Sequence, residues 1–215
     1  MKLALFPLHT VLFPGMALPL HIFEPRYRQM VNGCIAKNTS FGVVLIRAGL
    51  EVGGRAEPHP IGTSALVSQV ERLPDGRMNI EAIGQERFRI IALHDDQPYL
   101  TGTVETFALQ GANDLPARRS ARALAPWLGR YLTLLGKAAE TPFDEQRLPH
   151  DPAAIAYLAA IVAQIPLMEK QELLAVSAAA ELLERERVIY RRETSLLRAM
   201  LGSGQSRNDV FFSPN

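Results

Sequence analysis

Cysteine is almost missing from this chain: of 215 residues only Cys34 carries a thiol. One thiol makes no intramolecular disulfide and no structural zinc site, so Cys34 reads as a small buried apolar side chain. An excess of charge of either sign is missing as well. Lys and Arg total 23 against 22 Asp and Glu, with ten of each in residues 1–110 and thirteen against twelve in the remainder. Neutralising phosphates needs a basic excess, so nucleic acid is not expected as a main partner. Long apolar runs are the third absence. Pro7, Pro14, Pro19 and His9 interrupt the one N-terminal stretch that resembles a secretory signal. No run reaches the roughly 18 residues that a bilayer span needs. A soluble, cytoplasmic protein without a membrane partner is expected.

The motifs of catalysis are missing too. A phosphate-cradling loop needs a glycine five residues before Gly-Lys-Ser/Thr. The chain's one Gly-Lys pair, Gly136-Lys137, has Tyr131 in place of that glycine and Ala138 after it. No Gly-x-Gly-x-x-Gly and no Gly-x-Ser-x-Gly occurs, and Gly202-Ser203-Gly204 reads as a helix terminus running into a tail. The histidines, His9, His21, His59, His94 and His150, are scattered, with no pair at helical ligand spacing. His21 and Glu24 come nearest to a ligand pair and read as hydrogen-bonding partners at a helix start. Asp95-Asp96, ahead of Gln97-Pro98, reads as a solvated turn. The expectation is a protein that is not an enzyme and needs no cofactor or metal.

What is present is a change of texture near residue 110. Before it, segments are short, rich in Val, Ile, Thr and Phe, and punctuated by Gly and Pro; after it they are long and rich in Ala, Leu, Arg and Glu. This predicts a β domain over 1–110, a helical domain over 111–201 and a tail over 202–215. Strands are expected at 3–7, 18–20, 41–46, 63–73, 78–82, 87–93 and 99–107, with a short helix at 24–32. The run FGVVLI at 41–46 is apolar throughout, as a strand buried on both faces would be. Pro74-Asp75-Gly76 signals a hairpin, after which Met78, Ile80 and Ala82 alternate with Asn79 and Glu81.

In the helical part, Asp114 and Pro116 open a helix to about Lys137, with Pro126 as a kink or break. Residues 140–150 form a polar linker, Asp151-Pro152 caps the next helix, and a short helix covers 167–175. Ser177 can cap a last helix over 178–201, ended by Gly202. There Leu182/Leu183, Ile189/Tyr190 and Leu196/Leu197 recur every seven residues. That stripe suits packing on the chain's own helices better than a homodimer seam, because Arg185 and Arg192 occupy the second seam position. In the tail, Val210–Phe212 is apolar enough to dock on its own domain or on a second chain.

The densest feature is residues 5–31, LFPLHTVLFPGMALPLHIFEPRYRQMV, where aromatics and methionines alternate with prolines. Prolines stiffen irregular backbone, and stiff loops bearing Met and aromatic side chains suit a groove for extended polypeptide. Phe13, Met16, Leu18, Phe23 and Tyr27 are the candidate peptide-binding residues. The alternative is that they plug a small barrel, with Met16, in a turn after Gly15, the best exception.

That run resembles the N-terminal substrate-binding domain of the Lon protease family. The likeness continues through FGVVLI, GLEVGG (49–54), IGTSALV (61–67), the Asp75-Gly76-Arg77 turn and residues 83–90, and more loosely through IPLMEKQELL (165–174). The resemblance implies an α+β fold: a PUA-like antiparallel pseudo-barrel followed by a helical bundle with a long last helix. It also implies recognition of substrate proteins or degradation signals, and the expected role is that of an adaptor or holdase for unfolded or client proteins. The full protease's ATPase and Ser-Lys peptidase modules have neither room nor motif here, so ATP hydrolysis and proteolysis are not carried over. Two other readings stay open: an RNA-associated module, because PUA-like barrels recur in RNA-binding proteins, and a small-molecule enzyme in which His21, Glu24 and Arg26 converge in a polar pocket.

Overall fold

A computed structural model describes the backbone of residues 1–51, 56–138 and 148–208, and the side chains of all of these but 138 and 202–208. Most of the 140–150 linker and the Val210–Phe212 docking segment therefore lie outside the described residues. Two compact units emerge, Met1–Ala108 with Ile165–Ala175, and Leu109–Gln164 with the chain from Val176 onward. A division at residue 110 does not anticipate the return of residues 165–175 to the first unit.

The first unit is built on six strands: β1 (Lys2–Leu8), β2 (Ala17–Ile22), β3 (Phe41–Gly49), β4 (Ala56–Arg72), β5 (Met78–His94) and β6 (Thr101–Thr106). They form one mixed sheet in the order β2-β5-β4-β3-β1-β6, closed by a further β5–β6 pairing. All pairings are antiparallel except that of β1 with β3, which is parallel in the register Leu5↔Gly42 to Leu8↔Leu45. The two segments expected at 78–82 and 87–93 are one 17-residue strand, β5. Its second half closes the ring against β6, and its first half carries β2.

Alternation along the strands sorts the core into two clusters. On β1, Leu3 and Leu5 join Val44, Phe88 and Val104 inside the ring. Phe6 and Leu8 face the other way, onto Leu12, Ile22, Phe41, Val43, Met78 and Ile80. That larger cluster is covered by α1 (Pro25–Lys37), which buries Tyr27, Met30, Val31 and Cys34 along one face. The helix extends past the expected Asn32 because Gly33 costs it little and Cys34 adds another buried contact. It ends where Asn38 turns left-handed and gives its N–H to the carbonyls of Cys34 and Ile35. Burial pushes the Cys34 thiol up, away from the thiolate form.

The excursion that returns to this unit is α4 (Leu167–Ala175). Buried Arg87 donates from Nη1 to the carbonyl of Leu174 at 3.0 Å, placing a cation on the negative end of the helix. The same guanidinium lies 4.5 Å from the centroid of the Phe107 ring. Gln171 donates from Nε2 to the carbonyl of Ile61 at 3.0 Å.

The second unit holds α2 (Leu115–Ala138), α3 (Pro152–Val162) and α5 (Ala179–Asn208). Asp151 caps α3 by accepting from the Ala154 N–H at 2.8 Å, and α2 continues unbroken through Pro126. Two corrections concern α5. Its first N–H, on Ala179, is satisfied by the Gln110 carbonyl at 2.8 Å rather than by a Ser177 cap. It also continues past Gly202, since one glycine costs a helix only about 1 kcal/mol. Its inner face is Leu182, Leu183, Glu186, Tyr190 and Thr194, with Tyr190 edge-on to Tyr131 at 5.0 Å and bonded to the Ala159 carbonyl at 2.7 Å.

Glu186 is the anomaly on that face: it is 1% exposed, and neither carboxyl oxygen has a hydrogen-bond partner among the described residues. Burial raises its pKa well above the ordinary carboxylate value. The folded state therefore holds a proton that the unfolded chain releases above its own pKa of about 4.3. Stability from this group is complete below that pH and is lost as pH rises towards the folded pKa. Urea unfolding of Glu186→Leu is expected to show a gain of about 1–3 kcal/mol at pH 8 that shrinks towards pH 5. A pH-independent difference would contradict the assignment.

Candidate functional site

Strand directions bring several ends together at one rim of the ring. The C-terminal ends of β1, β3 and β5 lie beside the N-terminal ends of β4 and β6. There, Pro7, Tyr27, Ala48, Gly49, residues 56–58, Leu93 and the loop before β6 frame a cavity of about 530 Å³. This lies within the roughly 300–1,000 Å³ usual for ligand sites. Its apolar lining comes from Pro7, Tyr27, Pro58, Leu93, Pro98, Tyr99 and Leu100. Leu93 is 46% exposed and Leu50, directly after Gly49, is 67% exposed.

The charges at this rim are already engaged. The Arg26 guanidinium pairs with Glu24 at 3.0 Å and lies 4.5 Å over the Tyr27 ring. Glu57 is ion-paired with Arg47. Tyr27 stacks on Phe6 with ring centroids 4.1 Å apart. Burial pushes its phenol up despite the opposing charge of Arg26. No Ser, Cys, His or Lys is among the described residues lining the cavity, and no group of three or more His, Cys, Asp or Glu suited to a metal occurs among the described residues. The lining is thus mixed, with paired charged side chains beside apolar ones and three prolines, Pro7, Pro58 and Pro98.

A family model of the ATP-dependent protease La (LON) substrate-binding domain matches residues 2–191. The chain belongs to this family. It is 31% identical over 106 residues to a Lon protease of Flavobacterium johnsoniae, covering 48% of this chain and 13% of that protein. It is 23% identical over 199 residues to Lon protease 2 of Herpetosiphon aurantiacus, covering 92% and 24%. A Lon N-terminal domain protein from Xanthomonas campestris superimposes with a TM-score of 0.62 at 26% identity, over 86% of this chain and 96% of the other. The N-terminal domain of the Mycobacterium avium complex Lon protease shares the fold, with a TM-score of 0.69 at 18% identity over 89% and 98%. The chain spans about a quarter or less of the length of the full-length Lon proteases described here.

Within this Lon substrate-binding domain the candidate residues separate. Phe13 is fully buried, and Leu18 and Tyr27 are buried in or under the larger cluster. Met16 is half-buried against that cluster, while Phe23 is 45% exposed and stacks on His21. Of the five, Tyr27 alone lines the rim cavity. His21, Glu24 and Arg26 do not converge: His21 bonds through Nδ1 to Asn79 Oδ1 at 2.7 Å, while Glu24 and Arg26 pair with each other. Asp96 sits in the turn read from the sequence, held by Lys2 and, at 2.9 Å, by Thr101. Sequence reasoning missed Leu93, Tyr99 and Leu100. The signal was there in Ile91 and Leu93, two apolar residues on the outward face of β5.

No helix among the described residues is long and apolar enough to cross a membrane. The proline-rich loop between β1 and β2 is seated by Gly84 on β5, which exchanges hydrogen bonds with Gly15 and Met16 at 2.9 Å each. A Cβ on Gly84 would come within 2.2 Å of the Phe13 carbonyl oxygen. Gly84→Ala is expected to lower stability by about 1–3 kcal/mol in urea unfolding. An unchanged midpoint would show that the loop is not seated in this way.

Proposed function

We propose that this domain binds extended apolar segments of other polypeptides at the barrel rim, as a non-catalytic recognition module of adaptor or holdase type. One observation carries the reading: at the rim the charged groups are already paired while Leu50, Leu93 and the tyrosine–proline walls have open apolar surface. Such a surface gains by burying another apolar surface and has little to offer a charged ligand. Rigid proline-rich walls lose little entropy when a flexible chain settles between them. Phe23 and Met16 lie on the stretch leading into α1 and extend the reading from the sequence. Substrate binding in the family's description supports the same role, and unfolded or client proteins are the partners it implies. We place the activity in the cytoplasm, where a lone cysteine needs no disulfide partner.

A second reading, self-association, is favoured by one observation. Val188, Leu196 and Met200 on α5 are 58%, 53% and 71% exposed. Sedimentation equilibrium tests it: a monomer at about 100 µM, a concentration at which even weak specific pairs form, removes the reading.

For the main proposal, titration calorimetry with a permanently unfolded, reduced and carboxymethylated protein is expected to give a Kd of about 1–50 µM. Leu93→Asp should weaken that binding about tenfold while leaving the thermal midpoint nearly unchanged, because the side chain is half exposed. Absence of heat at about 100 µM, with the domain folded, would overturn the proposal.

A further inference from the structure

The helical unit has a cavity of its own, about 460 Å³, that the apolar rim does not use. Arg118 and Arg122, one turn apart on α2, line one side, with Asn113 beside them; His150, Asp151 and Pro152 at the start of α3 line the other. The chemistry here is the reverse of the rim's. Over its 24 residues α2 carries Arg118, Arg119, Arg122, Arg130 and Lys137 and no acidic residue. Both cavity arginines are exposed, and among the described residues neither guanidinium has an ion-pair or hydrogen-bond partner.

The nearby carboxylates are turned to other work. Asp151 spends one oxygen on the Ala154 N–H at 2.8 Å, and the Asp114 carboxylate lies against Gly111. Two arginines against the single Asp151 carboxylate leave the cavity wall net positive and rich in N–H donors, which suits an anion.

We propose that this cavity binds the dianionic phosphoryl group of a phosphate monoester. Arginines at i and i+4 stand about 5–6 Å apart at Cβ, so both forks can reach one group. A guanidinium presents five donors in a plane, and two of them supply more than a single carboxylate accepts but match three terminal phosphoryl oxygens. The first turn of α3, entered at Pro152 on the cavity wall, adds the positive end of the helix, part of which the Asp151 cap already answers. The cavity exceeds the size of phosphate alone and leaves room for the group that carries the ester. Two sources share this chemistry, a phosphorylated side chain of a polypeptide and a small phosphorylated metabolite.

The test is a two-dimensional ¹H–¹⁵N NMR titration of the full chain at constant ionic strength. Ligands are inorganic phosphate, a phosphoserine peptide, its unphosphorylated twin and a sugar phosphate. Phosphate is expected to move the Asn113 and His150 amides and the Arg118 and Arg122 Nε signals together, with a Kd of about 0.1–5 mM. The Arg118→Gln, Arg122→Gln double variant should weaken binding about tenfold or more while the remaining spectrum is retained. Tighter binding of the phosphopeptide than of the sugar phosphate assigns the polypeptide source, and the reverse order assigns the metabolite. Silence of these signals up to about 20 mM phosphate, or unchanged affinity in the double variant, overturns the proposal.

Discussion

The ring closes because β1 is shared, pairing in parallel with β3 on one side and antiparallel with β6 on the other. Closure confines Leu3, Leu5, Val44, Phe88 and Val104 to an interior only wide enough for side chains. The fit is tight enough that a Cβ on Gly62 would meet the tip of the Phe88 ring at 2.9 Å. A filled barrel has no lumen to lend to a ligand, which leaves the rim and the outer faces as its open surface. The parallel pairing also decides what the rim contains, because it puts the β1 and β3 ends on the same side as the loop before β6.

Rigidity at that rim comes from beneath it. The Phe6–Tyr27 stack and the Arg26–Glu24 pair fix the start of α1, where Tyr27 meets the rim. Farther along the chain, Arg87 and Gln171 hold α4 on the same unit by side-chain bonds to backbone carbonyls. The attachment carries a desolvation cost, because Gln171 Oε1 is buried without a hydrogen-bond partner among the described residues. The helical unit is organised differently, with apolar and tyrosine packing inside and arginines outside, and its cavity has correspondingly opposite chemistry.

Much of this was legible in the sequence where a local rule governs the outcome. The six residues of FGVVLI are all buried, Asp151-Pro152 caps α3, Gly76 turns the hairpin with φ of 81°, and 167–175 is a helix. What was not legible is non-local. No pattern in β1 or β3 announces that they run parallel, and Gly84 made one long strand read as two. The proline-rich segment has no period, so nothing in it separated buried Phe13 from exposed Phe23. Leu93 could be recognised as outward-facing only once the inward face of β5 was known. Glu186 sits among residues of a solvated helix pattern, and its burial follows from packing rather than from its neighbours in sequence.

The most direct measurement places a photo-reactive benzoylphenylalanine at single positions and irradiates the domain with a labelled, permanently unfolded chain. Covalent capture concentrated at positions 50, 93 and 99, with little at the exposed arginine face of α2, is the predicted result. Equal capture at all positions, or capture confined to the helical unit, would contradict the account of the barrel rim as the binding surface.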